Sequence, residues 1–301
     1  MIITETAPAK INLALHIRRR RPDGYHDLET LFAFAQHGDV VTIAPAEQDS
    51  FTITGPFAAA LGEEEHPTPS SKLHPGLHRG GASSRATGNP ADNLVTRARD
   101  RFRAVFDAPP VAITLEKNLP IASGIGGGSA DAAATLRALA SVIGTDPHHP
   151  ELHRIARTLG ADVPACLLGR TAYATGRGDD LTPLAPLGDL PLLLVNPRIP
   201  LSTAAMFAAW DGVDRGGLAD EGDALARALT GRNDFTGPAI AQVPAIADVL
   251  AMLDAAPGCT FARLSGSGAT CFGLFADERT RDSAAARADA NGWWTLATAA
   301  R

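Results

Sequence analysis

A glycine-rich turn that opens directly into an alanine-rich helix constrains this chain most: Leu119-Pro120-Ile121-Ala122-Ser123-Gly124-Ile125-Gly126-Gly127-Gly128-Ser129-Ala130-Asp131-Ala132-Ala133-Ala134. Gly124, Gly126, Gly127 and Gly128 allow positive φ and a close approach of backbone to ligand, and the first N–H groups of the helix lack intrahelical partners. Summed peptide dipoles place roughly half a positive charge at that end, so a di- or triphosphate is the natural occupant. No Gly-Lys-Ser/Thr closes the loop, which excludes a Walker A motif, and Ser129 stands where a G-x-G-x-x-G fingerprint has its last glycine. A mere strand-to-helix turn does not need three adjacent glycines, whose conformational entropy is lost on folding.

The strand feeding this loop is read at residues 111–115. Residues 10–17 alternate, with Ile11, Leu13, Leu15 and Ile17 toward a core and Lys10, Asn12, Ala14 and His16 on the opposite face, so Lys10 and Asn12 stand side by side. Further short strands are expected at 32–35, 40–43 and 51–54, with helical character at 92–105 and 150–159. The second half offers an apolar run at 190–195, helices around 202–210 and 239–253, a strand and turn over 261–270, and a strand at 271–275. Pro and Gly breaks argue against a regular βαβ repeat, and an α+β architecture in two lobes, 1–175 and 176–301, fits best; Gly169, Gly176, Gly178 and Pro183 mark the boundary region. Residues 62–90 turn to Pro, Gly, Ser, His and charge with no hydrophobic period, the composition of a mobile insertion.

The 301 residues contain no apolar run long enough to span a bilayer and no basic-then-apolar leader, so a cytoplasmic protein without a membrane partner is expected. Three cysteines, Cys166, Cys259 and Cys271, form no C-x-x-C pair and read as reduced core residues. A net charge of −6 argues against nucleic acid as the partner, so an anionic small-molecule substrate must be held by local donors. His74 with His78, and His149 with His153, sit four apart without a third ligand and are read as solvated rather than metal-binding. The run Arg18 to Arg21 is read as a solvated loop that raises the local potential.

Ala7-Pro8-Ala9-Lys10-Ile11-Asn12-Leu13, then Arg21-Pro22-Asp23-Gly24-Tyr25-His26-Asp27-Leu28, the glycine loop, Gly160-Ala161-Asp162-Val163-Pro164 and Leu264-Ser265-Gly266-Ser267-Gly268-Ala269-Thr270 follow one another along the chain. In this order they resemble the GHMP superfamily of small-molecule kinases and, within it, the branch that phosphorylates a cytidine-diphosphate-linked methylerythritol; the Asp-Gly-Tyr-His motif narrows the choice. The resemblance spans nearly the whole chain except residues 62–90. It implies an N-terminal ATP-binding lobe, a C-terminal ferredoxin-like lobe, an active site in the cleft between them, and transfer of the γ-phosphoryl group of ATP to the 2-hydroxyl of the acceptor.

The resemblance also implies roles. Lys10 and Asp162 are the catalytic pair: the carboxylate takes the hydroxyl proton while the ammonium neutralises it and the transferring group. Positioning and charge outweigh base strength in such a loose transition state. Proline bias toward extended backbone places Asp162 near a loop that ends a helix, where it would otherwise be a turn or cap carboxylate. Pro120, Ser123, Gly124, Gly126, Gly127, Gly128 and Ser129 would hold the ATP phosphates, the Ser129 hydroxyl meeting a phosphate oxygen or Mg²⁺ and able to serve as an N-cap as well, and Asn93 would touch the base of ATP. Asn12, Tyr25, His26, Thr203, Phe207, Gly266 and Ser267 would form the acceptor site, with Tyr25 and Phe207 stacking on cytosine. Asn233-Asp234 matches a family pattern with no physical account from sequence. A monomer or weak homodimer is expected. The competing readings are another GHMP kinase, acting on homoserine or mevalonate, and a catalytically silent nucleotide or sugar-binding regulator; Tyr25, His26 and Phe207 speak against the first, Lys10, Asp162 and the full loop against the second.

Overall fold

The computed structural model describes residues 1–62 and 93–301. The insertion expected at 62–90 lies, but for its first residue, outside the described residues, as do His74, His78 and Asp92.

Two long strands, β1 (Ile3–Arg20) and β2 (His26–Pro45), form an antiparallel hairpin that spans the molecule. β3 (Ser50–Thr54) leads to a short helix α1 (Ala59–Gly62), then α2 (Leu94–Arg103), β4 (Val111–Glu116), α3 (Gly127–Val142), α4 (Pro150–Leu159), α5 (Val163–Leu168), β5 (Ala172–Thr175) and β6 (Asp180–Pro183). The first sheet runs β3-β4-β2-β5-β6 with β1 paired to β2. The segments expected as separate strands at 32–35 and 40–43 are one strand, because β1 pairs with both across a register shift at Pro8 to Lys10.

The second half begins with β7 (Pro191–Asn196) and continues through α6 (Thr203–Ala209), α7 (Ala224–Thr230), α8 (Thr236–Gln242), α9 (Ala245–Asp254), β8 (Cys259–Leu264), β9 (Cys271–Phe275), α10 (Glu278–Ala290) and β10 (Trp294–Ala299). Its sheet order, β10-β7-β9-β8, is that of the split βαββαβ, ferredoxin-like arrangement. The single helix expected over 239–253 is two, α8 and α9, parted at Val243-Pro244, where proline removes a backbone donor. The lobe division expected at 175/176 cuts the β5–β6 hairpin, whose strands both belong to the first sheet; we place the passage at residues 184–190.

Helices, first sheet, second sheet and helices stack in four layers. α2 to α5 cover one face of the first sheet, and α6, α8, α9 and α10 cover the outer face of the second. Between the sheets Ala9, Ile11, Leu13, Leu31 and Ala33 meet Leu192, Leu194, Phe272 and Leu274. β1 is therefore buried on both faces. The expected core face of Ile11, Leu13, Leu15 and Ile17 is also split: a register shift between Asn12 and Ala14 puts Leu13 and Ala14 into the inter-sheet core and re-aims Leu15 and Ile17 into the second lobe's core.

Candidate active site

Burial of both faces of β1 gives Lys10 and Asn12 their surroundings. Neither is a solvated surface residue: they are 3% and 2% exposed. Lys10 Nζ donates to Asn12 Oδ1 at 2.9 Å and to Asp162 Oδ2 at 3.1 Å, and lies 4.8 Å from the centroid of the Phe32 ring. Asn12 Nδ2 donates to Thr30 Oγ1 at 2.8 Å, and Thr30 in turn donates to the Ala14 carbonyl. The amide is committed at both ends, so its work here is to orient Lys10.

Asp162 sits at the start of α5, with Pro164 in the first turn of that helix rather than in an extended loop. It caps nothing. Its side chain is 41% exposed and only Oδ2 is engaged, so Oδ1 is unpaired among the described residues. A buried lysine thus holds one oxygen of a carboxylate whose other oxygen is open to an incoming hydroxyl.

The glycine loop meets this pair from the side. Gly124 and Gly126 are left-handed, with φ of 76° and 64°. A Cβ on Gly126 would come within 3.0 Å of Lys10 Cε, and the Lys10 N–H donates to the Ile125 carbonyl at 2.9 Å. Gly126 stands at the N-cap of α3 with no side-chain cap, so the capping reading of Ser129 fails: that hydroxyl lies within the first turn and has no partner among the described residues. Ser123 is committed otherwise, donating to the Pro120 carbonyl at 2.6 Å. Ala130, Ala132, Ala133, Ala134, Ala138 and Ala140 are all buried, which is why the helix is alanine-rich: neighbours press on every side. Asn93, the expected ATP-base contact, is the N-cap of α2, its Oδ1 accepting from Val95 N–H at 2.9 Å and leaving only Nδ2 for a ligand.

The second glycine motif closes on the first. Ser265 Oγ donates to the Gly124 carbonyl at 3.1 Å and accepts from the Asn12 N–H at 3.2 Å, while Thr270 N–H donates to the Ser123 carbonyl at 3.1 Å. Gly266 is left-handed (φ 54°), and a Cβ there would come within 2.6 Å of the Gly124 carbonyl oxygen and 3.2 Å of Asn12 Oδ1. Asn233 now has a physical role. Its Nδ2 donates to the Leu264 and Gly266 carbonyls, both at 2.8 Å, and Oδ1 accepts from Phe235 N–H. Asp234 Oδ2 accepts from Ile17 N–H at 2.7 Å, so the pair fastens the second motif to β1.

Of the expected acceptor residues, Tyr25, His26 and Phe207 lie at the far end of the hairpin, whereas Asn12 and Gly266 stand beside Lys10 and Gly124. His26 stacks on Phe207 with ring centroids 4.8 Å apart and meets Trp210 edge-on at 5.5 Å. Burial, and then Arg20, hold the His26 pKa below its ordinary value, and Arg20 Nε donates to its Nε2 at 3.4 Å. Tyr25 is not against Phe207. Its ring is exposed and lies 5.0 Å from the Arg177 guanidinium. Thr203 and Ser267 share a hydroxyl–hydroxyl bond of 2.8 Å across the two loops. The basic run is less free than its composition suggests, since Arg18 pairs with Glu29 and Asp214, Arg19 with Asp27, and Arg21 with Asp23 and Asp27. Together with Trp210, Asp211 and Gly212, Arg18, Arg19 and Arg20 border a cavity of about 440 Å³ beside His26.

Sequence reasoning missed His16 and a buried ionic cluster of Asp39, Lys117 and Asp131. His16 Nε2 accepts from Arg232 N–H at 3.0 Å, so Nδ1 carries the proton toward the Gly216 carbonyl at 3.1 Å. No local signal marks these partners, which lie 216 and 200 residues away.

Comparison with known proteins agrees with this geometry. Residues 93–170 match the GHMP kinases N terminal domain and residues 219–292 the GHMP kinases C terminal domain. The 4-diphosphocytidyl-2-C-methyl-D-erythritol kinase of Rhizorhabdus wittichii is 50% identical over 99% of this chain and 94% of its own, and that of Paracoccus denitrificans 47% identical over 98% and 95%. A crystal structure of 4-(cytidine 5'-diphospho)-2C-methyl-D-erythritol kinase superposes with a TM-score of 0.76 at 31% identity over 99% of both chains. A homoserine kinase from Cytophaga hutchinsonii shares the fold, with a TM-score of 0.65 at 16% identity over 100% of this chain and 94% of its own. With its paired glycine motifs and the Lys10–Asp162 contact between them, this chain belongs to the 4-diphosphocytidyl-2-C-methyl-D-erythritol kinase family of GHMP kinases.

Proposed function

We infer that the chain catalyses ATP-dependent phosphorylation of the 2-hydroxyl of 4-diphosphocytidyl-2-C-methyl-D-erythritol, giving the 2-phosphate and ADP in the non-mevalonate route to isoprenoid precursors. The observation that carries the chemistry is Lys10 Nζ held 3.1 Å from Asp162 Oδ2 beside the start of α3. The acceptor hydroxyl gives its proton to Asp162 Oδ1 as its oxygen bonds to the γ-phosphorus, and the bond to the departing ADP oxygen breaks in line, with no phosphoenzyme. Lys10 offsets the charge on the equatorial oxygens, and the loop glycines bring N–H groups of the α3 start to the phosphates.

Mg²⁺ fits these residues only as a companion of ATP. Among the described residues no group of three or more His, Cys, Asp or Glu can hold a metal alone, while the partnerless Ser129 hydroxyl suits a metal already on the phosphates. Such an ion supplies charge neutralisation at the β- and γ-phosphates. The acceptor's cytosine is assigned to the His26–Phe207 stack: its ring enters between Tyr25 and Phe207 by displacing the imidazole, which then reads the base edge. No described helix is long and apolar enough to cross a membrane.

The test is ADP release from purified protein with ATP and Mg²⁺, offered the cytidyl-linked acceptor, its cytidine-free counterpart, homoserine and mevalonate. Turnover with the first alone is expected. Equal use of the cytidine-free acceptor refutes the substrate, and no turnover with any refutes the activity.

A further inference from the structure

At the acceptor end of the cleft a buried donor lacks an acceptor. Trp210, at the C-terminal end of α6, is 8% exposed, and its indole Nε1–H is buried with no hydrogen-bond partner among the described residues. Buried indoles usually find an acceptor, because an unmade bond leaves the full desolvation cost of the group. The Asp211 carboxylate, next along the chain, is taken by Arg215 and the Val213 N–H. The rest of the ring packs in the apolar core of the second lobe and borders the cavity of about 440 Å³. The nitrogen itself is closed off from that cavity, so a ligand entering there does not reach it while its neighbours stay in place.

One neighbour can move. The His26 imidazole meets Trp210 edge-on, with centroids 5.5 Å apart and planes at 84°, and stacks on Phe207 at 4.8 Å and 22°. Phe207 and Trp210, three residues apart at the end of α6, share a face of the helix and so offer one imidazole two platforms. His26 Nε2 accepts from Arg20 Nε at 3.4 Å, a long bond that the ring can leave, while nearby carboxylates hold Arg18, Arg19 and Arg21. Guanidinium and indole nitrogens are donors only, so Nε2 keeps its lone pair beside either, and the ring proton stays on Nδ1. Burial, and then Arg20, favour that neutral ring by lowering its pKa.

We propose that Trp210 is a positioning residue that makes the acceptor site select cytosine over uracil. The inference rests on the assignment of the acceptor's base to the Phe207 face. When the base takes that face, the displaced imidazole turns onto Trp210, Nε2 accepts the indole N–H, and Nδ1–H is left toward the base edge. Cytosine carries a lone pair at N3, which meets that donor. Uracil carries N–H at N3 and sets donor against donor, which leaves both unpaired. The indole donor is satisfied only in the complex, so its bond strengthens base binding rather than the free protein. Without it the displaced ring can carry its proton on Nε2, and Nδ1 then accepts from the N3–H of uracil.

Calorimetric titration with cytidine diphosphate and with uridine diphosphate, in saturating Mg²⁺·ADP to fill the nucleotide half of the cleft, reads the selection without turnover. The unaltered protein should bind the cytidine compound about ten- to a hundredfold more tightly than the uridine compound. Trp210→Phe keeps an aromatic edge and removes the donor. It should bind the cytidine compound about three- to tenfold more weakly, the worth of one hydrogen bond, and the uridine compound as well as before or better, so the margin shrinks. Equal weakening of both compounds, the sign of a merely structural role, overturns the proposal, as does an unchanged margin. If the variant fails to fold, proton–nitrogen NMR spectra of the unaltered protein decide: among the indole signals of Trp210, Trp293 and Trp294, one should move downfield on saturation with cytidine diphosphate, and none moving overturns the proposal. Tight cytidine diphosphate binding with an unchanged margin leaves the cytidyl-linked acceptor standing, whereas no affinity for that compound refutes both readings. A margin that shrinks as expected, in protein that does not phosphorylate the acceptor, refutes the proposed activity and leaves the base selection.

Discussion

Replacing Gly124 by alanine measures how firmly the two glycine motifs are locked. The new Cβ would lie 2.5 Å from the Ser265 carbonyl oxygen and 2.7 Å from Gly268 N and O, all backbone, so one motif must withdraw by about 0.9 Å to reach ordinary contact. The φ of 76° adds about 1–2 kcal/mol for a residue with a side chain. The withdrawal also strains the Ser265 Oγ to Gly124 and Thr270 N–H to Ser123 hydrogen bonds, each worth about 1 kcal/mol. A loss of about 3–4 kcal/mol follows, or about 5 °C in Tm for 301 residues at an unfolding entropy of about 2.1 cal/mol/K per residue. Because the same motif abuts Asn12 and hence Lys10, a displacement of this size should also lower kcat about a hundredfold. Gly128→Ala is the control for stability. Its Cβ meets only Leu94 Cδ1, at 3.5 Å, and within α3 alanine should stabilise by up to about 1 kcal/mol. Differential scanning calorimetry with steady-state kinetics reads both, and a Gly124→Ala protein that melts within about 1 °C of the parent with unchanged kcat refutes the interlock.

Asp162→Asn should bind ATP and acceptor nearly as well as the parent but turn over about 10²-fold more slowly or worse, and Lys10→Ala should not add to it, since both act on one transition state; parent-like turnover in Asp162→Asn removes the carboxylate from the chemistry. Phe207→Ala and Tyr25→Ala should each raise the acceptor KM about five- to a hundredfold, from stacking worth about 1–3 kcal/mol, and leave the ATP KM alone. A parallel change in both KM values would show a general collapse of the cleft instead. His16 is held neutral, its pKa lowered by burial and then by Arg232, so its contribution to stability is complete above its unfolded pKa of 6.5 and is lost as pH falls through the lower folded value. Protonation costs the Arg232 N–H bond, about 1 kcal/mol, and thermal melts from pH 7 to 5 should fall less steeply in His16→Gln.

What could be read from the sequence was whatever obeys local rules. Glycines 124 to 128 before an alanine run already require a turn opening a helix, because positive φ and an uncapped helix start are properties of the segment itself, and α3 begins at Gly127. α4 begins at Pro150 and ends at Leu159, where periodicity and an N-terminal proline place it. Period-two alternation identified β1, yet it could not show that both faces are buried, since the second face is covered by strands almost two hundred residues later. Nor could it foresee the bulge at Asn12 and Ala14 that sends Leu15 and Ile17 into a different core. The chemistry divides in the same way. Lys10 and Asp162 were recognisable by motif, but their contact spans 152 residues and exists because β1 and α5 both pack on α3. Asn233 had a pattern without a purpose until folding brought it to the carbonyls of Leu264 and Gly266. Nothing along the chain marks Asp39, Lys117 and Asp131 as a group, because a residue's neighbours in sequence do not report its distance from water. Tertiary packing decided that they are buried together, and burial turns three common side chains into a single coupled group.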